Sequence, residues 1–114
     1  MNTKDIIQEI RDFRDARDWR QFHNPKDMAI AISVESAELL EHFLWKSARQ
    51  IEQSVATRKE QISDEIADIG IYLFELADNL GIDLTAAIQR KLKKNALQYP
   101  VEKAKGSNKK YTEL

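Results

Sequence analysis

The sequence predicts an all-α protein, and three observations support that prediction. Apolar residues recur at spacings of three and four along most of the chain, as they do on one face of an α-helix. The alternation typical of a strand is hard to find. Only three glycines and two prolines interrupt the 114 residues, so long helices are favoured. A chain of this length is about the size of one ordinary domain.

The first helix is expected from about Lys4 to Asp18. Asn24-Pro25 then breaks the pattern. The second helix should begin near Lys26, because Asn24 can cap it and Pro25 suits its first turn. It can run to about Lys46 and is apolar on nearly every side. On the first helix, the residues that recur at spacings of three and four, and so share one face, are Ile6, Ile7, Ile10, Phe13 and Arg14.

The polar segment Ser47 to Ala56 is interpreted as a connector that could hold a short helical turn. Thr57 and Glu60 then match the capping-box pattern that begins many helices. The third helix would run from there to Leu80, with Gly81 as a left-handed stop. Its expected buried stripe is Ile62, Ile66, Ile69, Leu73 and Leu76.

A fourth helix is predicted from Leu84 to about Gln98. Asp83 can cap its start, and Pro100 ends it because the residue before a proline avoids the helical region. Residues 1–100 are therefore interpreted as one helical domain. Residues 101–114, which contain four lysines, are interpreted as a polar, basic C-terminal tail.

Four antiparallel helices joined by short loops form a bundle. The second helix has more apolar surface than one small bundle can cover, and a helix that is apolar all round must be buried all round. We therefore expect a bundle completed by oligomerisation, in which the second and third helices of one chain pack against those of another. The apolar surface argues against a monomer but does not distinguish a dimer from a tetramer.

Composition narrows the functional classes. The 18 Lys and Arg residues against 19 Asp and Glu residues give a formal charge of −1, which argues against a protein that coats nucleic acid. The absence of cysteine excludes disulfides, thiolate metal sites and thiol nucleophiles. No apolar run reaches the roughly 18 residues of a membrane span. A soluble, cytoplasmic protein that binds neither nucleic acid nor membrane is expected.

Two pairs of acidic residues border the predicted core. Glu35 and Glu38 share a stripe of the second helix that is flanked by apolar residues, and Glu65 and Asp68 line the edge of the third helix's buried stripe. Two carboxylates about 5 Å apart repel by about 3 kcal/mol at an effective dielectric of 20. They must therefore hold protons or bind cations. Magnesium fits a set of carboxylate ligands best.

Acidic pairs at this spacing are also common on solvated helix faces, since 32% of the residues are charged. That alternative makes the protein a non-catalytic helical interaction module, with the apolar second helix as its partner-binding surface. It predicts no dependence on magnesium.

Glu35-Ser-Ala-Glu38 and Glu65-Ile-Ala-Asp68 together resemble the ExxE…ExxD signature of the MazG-like family. The likeness extends over nearly the whole chain and is strongest to the branch that resembles dCTP pyrophosphatases. Its further elements are RDWRQFHNPKD, the WK pair after the first acids, DIGIYL around Asp68, Lys91, Asn95, Tyr99-Pro100 and KYTEL. Gln98 departs from the pattern, because a basic residue is expected there, and so does the segment Ser47 to Ala56.

The resemblance implies an all-α pyrophosphohydrolase that cleaves a deoxynucleoside triphosphate to the monophosphate and pyrophosphate. A dCTP-like substrate is preferred, with dATP as a second candidate, and the role is to cleanse the nucleotide pool. Members of the family assemble as dimers or tetramers, and a homotetramer is favoured here. Glu35, Glu38, Glu65 and Asp68 would be catalytic and would bind Mg²⁺. One of these acids, or Glu41, would accept a proton from the attacking water.

Further residues are expected to bind the substrate. Lys91 and Asn95, one turn apart, could contact phosphate oxygens. Ring side chains near the acids could hold the base. The full expected set is Trp19, His23, Trp45, Tyr72, Lys91, Asn95 and Tyr99. Hydrolysis of another phosphoanhydride, such as a ribonucleotide or a dinucleoside, is an alternative within the enzyme class.

Overall fold

The computed structural model describes residues 1–114 and consists of helices, turns and loops without a strand, which confirms the all-α class. The α-helices are α1 (Thr3–Ala16), α2 (Pro25–Glu41), α3 (Ala48–Thr57), α4 (Lys59–Asn79), α5 (Leu84–Gln98) and the single turn α6 (Val101–Ala104). Two 3₁₀ turns lie at Arg20–Phe22 and Tyr111–Glu113. None of the helices is both long and apolar enough to cross a membrane.

The chain divides into two compact units, Met1–Gly81 and Ile82–Leu114. In the first unit α4 is the central helix, and α1, α2 and α3 each pack against it. Its most deeply buried side chain is Met28, which is 1% exposed. Ile10 on α1 and Ala77 on α4 are also buried. The helix that carries Glu65 and Asp68 is therefore the one around which the unit is built.

Local signals in the sequence are confirmed at three helix ends. The Asn24 side chain accepts a hydrogen bond from the Asp27 amide at the start of α2, and Pro25 occupies the first turn. Gly81 follows α4 with a φ of +69°, the left-handed conformation expected of a glycine stop. The Asp83 side chain caps α5.

The connector predicted between Ser47 and Ala56 is instead the ten-residue helix α3. Ser47 and Gln50 form the capping box at its start, each side chain bonding to the other residue's backbone. The predicted capping box at Thr57 is wrong. Thr57 is the last residue of α3, and its hydroxyl donates to the Gln53 carbonyl. The count of four long helices therefore rises to five.

Helix α2 ends at Glu41, five residues before the predicted end at Lys46. The chain then turns and Trp45 takes a φ of +60°, which is unusual for a bulky residue. The buried Ser54 of α3 donates a hydrogen bond of 2.8 Å to the carbonyl of His42 just after α2. This bond ties α3 to the end of the helix that carries Glu35 and Glu38.

Much apolar surface of α2 and α4 is left exposed within one chain. On α2 only Met28 is buried. The exposed apolar residues of the two helices are Ile30, Val34, Leu40, Ile66, Ile71 and Leu73. Ile66 and Leu73 belong to the stripe predicted to be buried, so the single chain does not bury that stripe completely.

In the second unit α5 is followed by α6 and the final 3₁₀ turn. Tyr99, which ends α5, packs its ring edge-to-face against Tyr111, with 5.9 Å between the ring centroids. Residues 101–114 thus contain two short helical segments. The division into a domain of residues 1–100 and a tail stays a prediction.

Candidate active site

Three glutamates from two helices meet in the first unit. Glu35 and Glu38 lie one turn apart on α2, and Glu65 lies on α4, which packs against α2. One carboxylate oxygen from each of the three lies within 4.8 Å of the others. The sequence predicted that these acids would border the core, and the packing of α2 on α4 brings both helices' acids to one place.

Two of these glutamates have a buried oxygen without a partner. Glu35 Oε2 and Glu65 Oε2 are inaccessible to solvent, and no hydrogen-bond donor reaches either. Burial, followed by the neighbouring Glu38, raises the pKa of Glu35 to about 7. Burial, again followed by Glu38, also raises the pKa of Glu65. The cluster as it stands favours protons or a cation.

Asp68 lies one turn beyond Glu65 on α4 and is exposed. Its carboxylate is outside the set of three that lie within 4.8 Å. Its negative charge nevertheless contributes to the raised pKa values of Glu35 and Glu65. The four predicted acids therefore form a compact group of three with Asp68 at its edge.

A cavity of about 450 Å³ adjoins the acids, and Glu35 and Asp68 belong to its lining. Its volume lies in the range of small-molecule sites. Its apolar lining residues are Ile6, Ile10, Phe13, Trp19 and Ile71, and its remaining polar ones are Glu9, Arg14, His23, Tyr72 and Glu75. The structure thus places Trp19, His23 and Tyr72, three of the predicted substrate-binding residues, around one cavity with two of the predicted acids.

Buried polar side chains that the sequence analysis did not assign to the site form part of this lining. Glu75 is 4% exposed and Arg14 is 7% exposed. Glu75 Oε2 lies 2.7 Å from His23 Nδ1. An ionised carboxylate can only accept, so this contact places a proton on His23 Nδ1. Asn79 donates to the same Glu75 oxygen and accepts from Arg14 Nη1.

A signal for these two residues was present in the sequence. Arg14 falls in the apolar stripe of α1, where a charged residue is unusual. Glu75 follows Asp68 by seven residues, which returns a helix to nearly the same face. Neither position matches a motif, so only the packing of α1 on α4 connects them.

The other predicted substrate-binding residues lie on other elements of the chain. Trp45 is 93% exposed and lines a separate, open cavity of about 380 Å³ with residues of α3. Lys91 and Asn95 lie one turn apart on α5, and Tyr99 ends that helix, so all three belong to the second unit. Lys91 is exposed, whereas Asn95 is half-buried.

Comparison with known proteins identifies the family to which the chain belongs. The model of the MazG-like family matches residues 30–114, which include both acid pairs. The chain belongs to the MazG-like family. The acids from Glu35 to Asp68 lie inside the matched range, whereas Arg14, Trp19 and His23 precede it. One side of the cavity is thus formed by residues that lie outside the segment matched by the MazG-like family model.

Curated relatives are similar over almost all of this MazG-like chain. It is 37% identical over 113 residues to rat dCTP pyrophosphatase 1 and 35% identical over 113 residues to the human protein of that name. Each alignment covers 97% of this chain but 66% of the relative, so the chain spans just under two thirds of their length.

A solved structure is also similar. A pyrophosphatase from Archaeoglobus fulgidus superposes with a TM-score of 0.81 and 41% sequence identity, covering 85% of this chain and 91% of that one. The similarity between these two chains extends to both fold and sequence.

Proposed function

We propose that the chain is an enzyme that hydrolyses deoxynucleoside triphosphates to the monophosphate and pyrophosphate. A dCTP-like nucleotide is the preferred substrate and dATP the second candidate. Membership of the MazG-like family and similarity to proteins named dCTP pyrophosphatase support this activity. The observation that carries it is the cavity whose lining includes Glu35 and Asp68 at the acids and Trp19, His23 and Tyr72 beyond them.

Mg²⁺ is the proposed cofactor, and the residues present fit it. Oxygens bound to one Mg²⁺ are at most about 4.2 Å apart, twice the bond length of 2.0–2.1 Å. The three glutamate oxygens lie within 4.8 Å, so small side-chain rotations suffice. The unpartnered buried oxygens of Glu35 and Glu65 also call for a positively charged partner. Glu35, Glu38, Glu65 and Asp68 would hold the ion, which when bound neutralises phosphate charge and acidifies water.

The acids of the chain are proposed to have different roles in binding the ion and in accepting a proton. Glu35, Glu38 and Glu65 are packed together, so their negative charges repel. All three are favoured in the ionised state only when a cation binds between them. Asp68 is exposed at the edge of the cluster and lines the cavity. It is therefore the acid best placed to accept a proton from water. Glu41, the last residue of α2, is exposed and outside the cluster, so a surface role fits it better.

The base would be held among the rings of Trp19, His23 and Tyr72. The ring centroids of Trp19 and His23 are 6.4 Å apart and those of His23 and Tyr72 are 6.5 Å apart, within the range of aromatic contacts. Lys91, Asn95 and Tyr99 of the second unit are proposed, from the family resemblance alone, to bind phosphate oxygens through an ammonium, an amide and a hydroxyl. Trp45 would contribute to substrate binding from its exposed turn.

The proposed enzyme is a homo-oligomer, with a tetramer favoured over a dimer. On α2 Ile30 and Val34 are 53% and 50% exposed, and Ile66 on α4 is 56% exposed. Apolar residues concentrated on two neighbouring helices are typical of an interface between subunits. A nucleotide-pool function is consistent with the expected cytoplasmic location.

The decisive experiment is incubation of the pure protein with each deoxynucleoside and ribonucleoside triphosphate, with Mg²⁺ and with EDTA. Pyrophosphate and orthophosphate are resolved separately. We expect magnesium-dependent release of pyrophosphate and monophosphate, fastest with dCTP. Release of orthophosphate alone would indicate another phosphoanhydride reaction. No cleavage of any nucleotide would favour the interaction module, for which the exposed apolar surface of α2 is the supporting observation.

A further inference from the structure

We propose that Glu75 and Arg14 read the hydrogen-bonding edge of the base and select an aminopyrimidine, such as cytosine, over thymine or uracil. This inference rests on the proposed function, because it assigns the base to the cavity beside the acids. It concerns two residues that neither the acid motif nor the ring side chains include.

Glu75 is an acceptor set into the wall of the cavity. Its side chain is 4% exposed, and Oε2 accepts from both His23 and Asn79. Oε1 has no hydrogen-bond partner within the chain, and it is not among the fully inaccessible unpartnered atoms. One carboxylate oxygen thus remains available to a donor on a ligand.

Arg14 is a donor beside it. Its Nε donates to Asp15 and its Nη1 donates to Asn79, which leaves Nη2 without a partner in the chain. The Asn79 amide bonds to Arg14 through its oxygen and to Glu75 through its nitrogen. This bridge holds the guanidinium and the carboxylate side by side. Both residues line the cavity, whereas Asn79 does not.

The charges of this pair suit an uncharged ligand edge. Arg14 is already paired with Asp15, and Glu75 already bonds to His23 and Asn79, so neither group requires a charged ligand as its partner. The acid cluster carries only negative groups. Cations are therefore favoured at the acids, and a neutral polar group is favoured beside Arg14 and Glu75.

The distance between the two ends fits a nucleotide. Asp68 and Glu75 lie on the same face of α4, seven residues apart, which corresponds to about 10 Å along a helix. A sugar and a pyrimidine ring span a comparable length. A phosphate near the acids would therefore place the far edge of the base beside Glu75.

The pattern of donors and acceptors distinguishes the pyrimidines. Cytosine presents its 4-amino donor next to the N3 and O2 acceptors, which matches Glu75 Oε1 beside Arg14 Nη2. Thymine and uracil present O4 and a protonated N3 instead. Held in the orientation of cytosine, each would place an oxygen against the Glu75 carboxylate and a proton against the guanidinium, leaving buried polar groups unpaired.

The test is equilibrium binding of dCMP, dTMP and the deoxynucleotide of 2-pyrimidinone, which lacks the 4-amino group, measured by calorimetry. The wild-type protein should bind dCMP more tightly than either other ligand by about tenfold or more. Glu75→Gln should bring these ratios close to one, because an amide can offer either a donor or an acceptor. Arg14→Lys, which keeps the charge but loses the planar fork, should weaken dCMP binding several-fold.

Asp78→Asn is the matched control. Asp78 lies on α4 and pairs with Arg11 of α1, so it joins the same two helices, but neither residue lines the cavity. This variant should leave the dCMP to dTMP ratio unchanged. Equal binding of dCMP and the 2-pyrimidinone nucleotide by the wild-type protein would overturn the inference even if Glu75→Gln failed to fold.

Hydrolysis assays separate this inference from the proposed function. If the protein cleaves dNTPs but Glu75→Gln keeps the wild-type base ratios, the selection by Glu75 is wrong and the function stands. If no dNTP is cleaved but dCMP binding depends on Glu75 as described, the base site is right and the proposed reaction is wrong.

Discussion

Glu35 on α2 and Glu65 on α4 each bury a carboxylate oxygen that no hydrogen-bond donor reaches. Unpaired buried acceptors and neighbouring negative charges both cost stability. The packing of α2 on α4 therefore maintains an unfavourable arrangement in the absence of a cation. That arrangement is the basis of the first three predictions.

Replacing Glu38 by glutamine should abolish magnesium binding and lower kcat/KM by at least about a hundredfold, since even a residue that supports a metal ligand is worth 10–100-fold. The helical content should not change, because the substitution relieves repulsion with Glu35 and Glu65. Circular dichroism and steady-state kinetics check the two outcomes.

Glu52→Gln on the exposed surface of α3 is the control for this variant, because it removes the same charge away from the cluster. It should retain wild-type activity. Full hydrolysis by pure Glu38→Gln would remove Glu38 from the proposed site.

The metal-free protein should lose stability as the pH rises from about 4.5 to 7. Glu35 holds its proton in the folded state up to a pKa of about 7, whereas the unfolded chain releases it near the ordinary value of 4.5. The folded state binds more protons in this window, so its free energy of unfolding falls as pH increases. Glu65 shifts in the same direction.

Urea unfolding in EDTA at several pH values measures this effect. Glu35→Gln removes the principal titrating group and should flatten the profile. A wild-type profile that rises steadily over the same window would show that Glu35 ionises normally in the folded protein.

Magnesium should stabilise the folded protein, and more strongly at pH 8 than at pH 5, because the ligands must lose their protons to bind. At a hundredfold excess over Kd the added free energy of unfolding is about 2.7 kcal/mol. Thermal unfolding with Mg²⁺ and with EDTA checks this. A midpoint that does not move at pH 8 would favour the non-catalytic interaction module.

Ser54→Ala should destabilise the first unit by about 1–3 kcal/mol, because the substitution leaves the His42 carbonyl without its buried hydroxyl donor. Ser33→Ala is the matched control. The Ser33 hydroxyl donates to a carbonyl of its own helix and is exposed, so its loss should cost little. Equal unfolding free energies for the two variants would contradict a structural role for the α2–α3 bond.

Ile66→Glu should dissociate the proposed oligomer, since a charge buried in an apolar interface lacks a partner. Gln61→Glu adds the same charge to an exposed position on the opposite side of α4 and should leave the assembly intact. Light scattering after gel filtration gives the masses. A monomeric wild-type protein would refute the expected assembly.

Sequence patterns predicted those helix ends that depend on the chemistry of a single residue. Asn24, Gly81 and Asp83 act where their residue types are favoured, so those helix ends followed from the sequence. Helix α3 was missed because its polar composition hides an amphipathic face, although Ser47 and Gln50 form the capping box that was expected ten residues later.

The three glutamates could be predicted to lie close together, because each acid pair borders an apolar stripe and such stripes pack on one another. The contacts of Arg14, Asn79 and Glu75 could not, because they depend on the register of α1 against α4. Sequence spacing describes one helix at a time. The inner wall of the cavity is formed by residues more than 50 positions apart.

Trp45 stands on the turn after α2 with 93% of its surface exposed, whereas Trp19, the chain's other tryptophan, is 43% exposed. Indole fluorescence shifts to shorter wavelengths and becomes harder to quench when solvent is removed. The protein therefore contains an intrinsic optical probe: whatever covers Trp45, whether a nucleotide or another subunit, should shift the emission of that residue to the blue. Comparison with Trp45→Phe, which keeps Trp19, isolates this contribution.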